Sequence, residues 1–181
     1  MLAPSTAALF ITATVVGGAS TTPAVVGATR SWYNRIPLPS CTPPNRVFAP
    51  VWTLLFALLG AATALVADLA GGRSLAVLHF AAHFAVNLTW APVFFGLQRL
   101  RLGNAINFVL LSSLVILTCQ YAAISPPAAL LLLPYMAWLM FATYLNVAIC
   151  RLNPTIGGYN NARWQADLTV LQRRASAIAF G

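Results

Sequence analysis

Residues 47–70 read VFAPVWTLLFALLGAATALVADLA, an apolar run whose only charge is Asp68, close to its end. A helix crosses roughly 30 Å of hydrocarbon with about 20 such residues, each adding about 1.5 Å. A helix apolar on every face over that length is buried on every side or surrounded by lipid. Four stretches of similar character lie beside it, at 7–28, 75–97, 102–124 and 127–150. The expected fold is therefore all-α, an integral membrane bundle of five transmembrane helices.

Composition supports the bilayer over a large soluble core. Of the 181 residues, 60% are hydrophobic and 7% are charged, against roughly 25% charged in ordinary soluble domains. So few charges cannot cover the surface of a soluble fold of this size, whereas a bundle in lipid needs few. The net charge of +8 raises the question of nucleic acid. The arginines, however, sit between apolar runs rather than on one polar face, so no nucleic-acid partner is expected. Cys41, Cys119 and Cys150 show no metal-ligand spacing and imply neither a disulfide framework nor a zinc site.

The ends of the runs are well marked. Gly71-Gly72 closes the second, Ser125-Pro126-Pro127 separates the fourth from the fifth, and Asn153-Pro154 follows the last. Pro134 is expected to kink the fifth helix. The first stretch is the weakest, rich in Thr and interrupted by Gly17, Gly18 and Pro23. With no positive charge before it, it reads as a retained helix rather than a cleaved signal peptide. The first connection, 29–46, is long and holds Pro37, Pro39, Pro43 and Pro44, which points to a structured cap rather than a plain turn.

Five spans put the first loop, the third loop and the C-terminus on one side. Arg30, Arg35, Arg46, Arg99, Arg101, Arg151, Arg163, Arg173 and Arg174 all fall there, and Arg73 stands alone on the other. The positive-inside bias then predicts a cytoplasmic first loop and tail. In the basic tail, 154–181, Trp164, Leu168 and Leu171 recur at helical spacing. They fit either a short amphipathic helix on an anionic membrane surface or a frayed, solvated end.

Polar residues inside spans are costly and mark candidate sites. His79, His83, Asn87 and Trp90 follow one another at i, i+4, i+8 and i+11, near one helical face. They can line a ligand cavity, hydrogen-bond neighbouring helices, or in the case of the histidines hold a metal. No carboxylate shares the span to orient a ligating imidazole, so no metal site is expected. The only acidic residues are Asp68, which could pair with Arg73, and Asp167, too few for a carboxylate pair or a Ser-His-Asp set. Trp32, Tyr33, Trp52 and Trp90 suit an interfacial aromatic belt. Trp138 lies too deep for that, and beside Pro134 and Tyr135 it suits an aromatic-walled pocket for a planar ligand.

Several segments in order carry a resemblance: Trp32-Tyr33 with Leu38-Pro39-Ser40 and Pro43-Pro44; Val47-Phe48-Ala49-Pro50-Val51-Trp52; Asn87-Leu88-Thr89-Trp90-Ala91-Pro92-Val93-Phe94-Phe95-Gly96; Ser125-Pro126; Pro134-Tyr135-Met136-Ala137-Trp138; and Phe141 through Leu145-Asn146. Together they resemble the translocator protein (tryptophan-rich sensory protein) family. The resemblance implies a five-helix bundle, often a homodimer, with a pocket at one end roofed by the first loop. It implies ligands such as protoporphyrin IX or haem, and in many members sterols and benzodiazepine-type drugs. No cofactor is required; porphyrin would be ligand or substrate.

Carried over by motif, the ligand-binding set is Pro50, Trp52, Asn87, Trp90, Trp138, Phe141 and Ala142, to which the polar stripe adds His83. Trp52 and Trp138 would stack on the ligand and Asn87 would supply a directional hydrogen bond. Bacterial members are linked to light-dependent porphyrin breakdown, for which Trp52 and Trp138 would be the catalytic candidates. The chain departs from the family where Val147 replaces the Tyr of a proposed sterol motif, which weakens sterol binding. Cys41 and Leu88 stand where Trp is common, and the tail is longer than usual. A tetrapyrrole receptor or carrier and a photochemical enzyme both remain open, with a scaffold as a third class. A bacterial envelope, a mitochondrial outer membrane, and a plastid or secretory membrane all fit.

Overall fold

The computed structural model of the chain describes residues 4–156. The tail helix suggested by Trp164, Leu168 and Leu171 lies outside the described residues. Six α-helices follow in order: α1 Pro4–Ala19, α2 Thr22–Ser31, α3 Asn45–Ala70, α4 Leu75–Ala91, α5 Leu100–Ile124 and α6 Pro126–Leu152. A 3-10 turn, Tyr33–Arg35, follows α2, and a π-helical turn, Pro92–Gly96, extends α4. Five segments are long and apolar enough to cross a membrane, with α1, α2 and the 3-10 turn forming one of them and α4 with its π turn another. Large apolar side chains such as Leu54, Leu75, Phe108, Ile116 and Leu130 are exposed on the outside of the bundle, where lipid takes the place of water. The chain is a multi-pass, all-helical membrane protein.

The first span differs from the single helix expected over 7–28. It breaks at Ser20-Thr21, because Pro23 has no N–H to donate to the turn before it. At the break the carbonyls of Gly17 and Gly18 accept the backbone N–H groups of Ser20 and Thr21 and also their hydroxyls, the latter at 2.6 and 2.8 Å. Backbone acceptors at the break are thus met within the membrane. Beyond the break α2 runs to Ser31, so regular helix reaches further into the first connection than its composition suggests. The other bounds differ by a few residues, and α6 continues through Pro134.

Helix α1 packs along α3, α3 and α5 pack on α6, and α5 packs on α4. At Gly60 α3 meets the backbone of α1, where a Cβ would stand 2.6 Å from Thr14 Oγ1 and 2.7 Å from the backbone of Ile11. Glycine alone permits that backbone contact. Leu59, Leu114, Leu117, Tyr121, Leu132 and Tyr135 fill the middle of the bundle. A second cluster at the first-loop end joins Trp32, Tyr33 and Ile36 to Phe94, Leu100, Ile149 and Ile156.

That second cluster fixes the loop as a roof. Trp32 and Tyr33 are buried, at 4% and 5% exposure, rather than standing in an aromatic belt. Trp32 Nε1 donates to the carbonyl of Phe95 at 3.1 Å, and Tyr33 meets the Phe95 ring edge-on with centroids 5.1 Å apart. Near the middle of the loop, Asn153 Nδ2 donates to the carbonyl of Pro37 at 2.9 Å.

Candidate ligand cavity

Beneath this roof lies a cavity of about 470 Å³, within the range of roughly 300–1,000 Å³ typical of small-molecule sites. Every span contributes. Val15 and Gly18 come from α1, Val25 and Thr29 from α2, and Phe48, Trp52 and Phe56 from α3. Asn87 and Trp90 come from α4, Phe94 and Phe95 from its π turn, Asn107 and Leu110 from α5, and Ala142, Leu145 and Asn146 from α6. Asn45 and the exposed Arg46, on the first-loop side of the bundle, also line it.

The walls are mainly flat and apolar. Trp90 stacks on Phe94 with centroids 5.2 Å apart and planes 16° from parallel. The π turn contributes to this: Leu97 N–H closes on the carbonyl of Pro92 at 2.9 Å, a wider ring than the α-helical one. Trp52 packs against Phe56 at 5.4 Å and against Tyr135 at 6.1 Å.

Against these walls stand polar groups with no partner. Trp90 Nε1, Asn107 Nδ2 and Asn146 Nδ2 are buried donors without a hydrogen bond. Leaving such a donor unmet costs about 1–3 kcal/mol. A ligand carrying acceptor oxygens would relieve it.

The residues named from sequence separate into two groups. Trp52, Asn87, Trp90 and Ala142 line the cavity, whereas Pro50, His83, Trp138 and Phe141 are not among its lining residues. Pro50 is exposed on α3. Trp138 lies one ring behind the wall, edge-on to the lining residue Phe48 at 5.8 Å and beside Phe141 at 5.6 Å. Asn107, Asn146, Arg46 and Phe48 are lining residues that the sequence reading did not single out. The two asparagines had a signal, since a buried amide in a span is costly wherever it occurs.

His83 is 2% exposed and engaged at both nitrogens. Its Nε2 lies 3.0 Å from Tyr135 Oη and its Nδ1 3.0 Å from Ser113 Oγ. Ser113 Oγ lies 2.9 Å from His79 Nε2, and His79 Nδ1 lies 2.8 Å from Gln120 Oε1. Asn87 Nδ2 donates to Tyr135 Oη at 2.7 Å. Of the readings open for the polar stripe, the histidines thus act between helices, while Asn87 both bonds a neighbour and lines the cavity. Among the described residues no group of three or more His, Cys, Asp or Glu comes together to hold a metal ion.

A multi-pass helical membrane protein with a roofed, aromatic-walled cavity at one end is the class that fold and site define. The TspO/MBR family model matches residues 7–152. The chain belongs to the TspO/MBR family. It is 41% identical over 129 residues to the tryptophan-rich protein TspO of Chlorobaculum tepidum, covering 68% of this chain and 81% of the relative. It is similar to protein CrtK of Rhodobacter capsulatus, with 38% identity over 128 residues, 68% of this chain and 79% of that one. The human translocator protein is 38% identical over 128 residues, covering 67% of this chain and 75% of its own.

Proposed function

We propose that this protein is a membrane receptor or carrier that takes tetrapyrroles, protoporphyrin IX or haem, into the cavity beneath its first loop. The observation that carries the reading is the pairing of flat aromatic walls with unmet donors on Trp90, Asn107 and Asn146. A planar apolar ring system with acceptor groups at its edge matches both features. Arg46 lines the cavity, and a ligand carboxylate at its edge would find a cation there. Sterols and benzodiazepine-type ligands share the apolar, planar shape and are further candidates. The arginine asymmetry supports a cytoplasmic first loop, and the family resemblance supports a homodimer.

A second reading has a specific observation behind it. Trp52 lines the cavity and touches Tyr135, so an excited porphyrin there would have an oxidisable ring beside it and a second ring behind that. Light-driven breakdown of the porphyrin is the alternative function.

One titration tests both. Purified protein in detergent is titrated with protoporphyrin IX in the dark, following tryptophan fluorescence, and then illuminated. Saturable quenching that weakens in Trp52→Phe, with an unchanged porphyrin spectrum under light, supports the receptor. Saturable quenching followed by tryptophan-dependent bleaching supports the photochemical reading. Linear, unsaturable quenching in the wild type would reject a tetrapyrrole site.

A further inference from the structure

The hydrogen-bonded set behind the cavity has one consistent direction. Asn87 Nδ2 can only donate, so Tyr135 Oη accepts from it and turns its own proton toward His83 Nε2. His83 Nε2 is then an acceptor, which leaves the ring proton on Nδ1, facing Ser113 Oγ. Ser113 passes its proton toward His79 Nε2, and His79 Nδ1–H meets Gln120 Oε1, which can only accept. The donor at one end and the acceptor at the other demand the same arrangement. With both imidazoles neutral, every O–H or N–H points from the cavity side toward Gln120.

Such a chain holds a base on the phenol. Tyr135 is 0% exposed, and Asp68, the one carboxylate among the described residues, is exposed near the end of α3. His83 is the base at hydrogen-bond distance. On its other side Tyr135 touches Trp52, with centroids 6.1 Å apart and planes at 70°, and Trp52 lines the cavity. Oxidant site, electron-donating ring and proton acceptor are in contact in that order.

We propose that Tyr135 is a redox-active residue, oxidised through Trp52 with His83 taking its proton. A one-electron oxidant in the cavity removes an electron from Trp52. Tyr135 returns an electron to Trp52, and its phenolic O–H bond breaks as the proton forms an N–H bond at His83 Nε2. The products are restored Trp52, a neutral tyrosyl radical and an imidazolium at His83. The Nδ1 proton can then move to Ser113, whose own proton moves to His79, carrying the charge about one helical turn along α4. An oxidised phenol that cannot release its proton is far less accessible, which is why the base matters. The arrangement removes the electron vacancy from the cavity wall to a fully buried ring and so slows its return to the reduced oxidant. For the physiological oxidant, a photo-excited tetrapyrrole, the proposal rests on the photochemical reading above; the Trp52–Tyr135–His83 chemistry does not.

The test uses a different oxidant for that reason. Azide radicals generated by pulse radiolysis oxidise tryptophan and are reduced to azide, and they are small enough to enter the cavity. In the purified, detergent-solubilised protein the tryptophan-radical absorbance should decay as a tyrosyl band rises, more slowly in heavy water. The tyrosyl rise should vanish in Tyr135→Phe and in Trp52→Phe. It should slow about tenfold in His83→Gln, the factor produced by about 1.4 kcal/mol in the barrier, because glutamine can bridge the helices but is no base. No tyrosyl rise in the wild type, or an equal rise in Tyr135→Phe or His83→Gln, would overturn the proposal and show the set to be interhelical bonding alone. The solvent isotope effect is read on the wild type, so a variant that misfolds does not remove the test. Porphyrin binding is not involved, so failure here and failure of the tetrapyrrole reading are separate results.

Discussion

The hydroxyl of Thr14 on α1 donates to the carbonyl of Phe56 on α3 at 2.7 Å, one turn before Gly60. Together the two residues set how closely the first span meets the second. Both helices line the cavity, so this contact also sets the cavity's width. Replacing Gly60 by Val forces side-chain atoms into the backbone of Ile11 and Phe10. A loss of about 3 kcal/mol is expected, read as a lowered thermal midpoint in detergent. Thr14→Ala should cost about 1 kcal/mol.

Trp52 and Trp138 should behave differently as binding residues. Trp52 lines the cavity, and Trp52→Ala should weaken protoporphyrin IX by roughly 1–2 kcal/mol, the worth of a stacked ring and its buried area. Trp138 acts only through Phe48, so Trp138→Ala should lower stability more than affinity. Paired binding isotherms and melting curves separate the two; equal losses of affinity would place Trp138 at the ligand.

Asn146→Leu keeps the branched four-atom side-chain skeleton while removing an unmet buried donor. The empty protein should become more stable by about 1 kcal/mol or more. Binding of ligands that carry acceptor oxygens should weaken, while a purely hydrocarbon ligand should bind no worse. Calorimetry with and without ligand measures both changes, and a destabilised empty Asn146→Leu protein would refute the idea.

Arg46 is exposed, so its attraction for a carboxylate is modest and screened by salt. Arg46→Glu should weaken protoporphyrin IX by about threefold to tenfold at low ionic strength and leave its dimethyl ester nearly unaffected. Titrations of both compounds at two salt concentrations check this.

The spans were legible because hydrocarbon imposes one uniform demand on every lipid-facing position, and a run such as 47–70 answers it without any knowledge of its neighbours. The break at Ser20-Thr21 was signalled by Gly17, Gly18 and Pro23, yet whether a proline bends or ends a membrane helix depends on who satisfies the freed carbonyls. Here the backbone N–H groups and hydroxyls of Ser20 and Thr21 together meet the carbonyls of Gly17 and Gly18. For the site, Asn87 and Trp90 could be found from one helix's periodicity. That period also grouped His83 with them, but one turn further along the same face the helix meets Ser113 of α5 and Tyr135 of α6 rather than the cavity, and only their placement decides it. The depth of Trp138 was readable and its direction was not. Asn107 and Asn146 come from two further helices, and their convergence is a property of the assembled bundle.

The bond from Asn153 to the carbonyl of Pro37 joins residues 116 positions apart. It carries a consequence for synthesis. The first loop leaves the ribosome early, but its clasp lies just past the end of α6, the last of the five described spans. Until that helix is in place the roof lacks its anchor at Pro37, and α6 has not yet supplied its share of the wall. A nascent chain arrested before α6 should therefore retain its earlier spans in the membrane yet hold no ligand. Under the proposed function, binding competence would arrive in a single late step, and truncated chains would be silent rather than partly active.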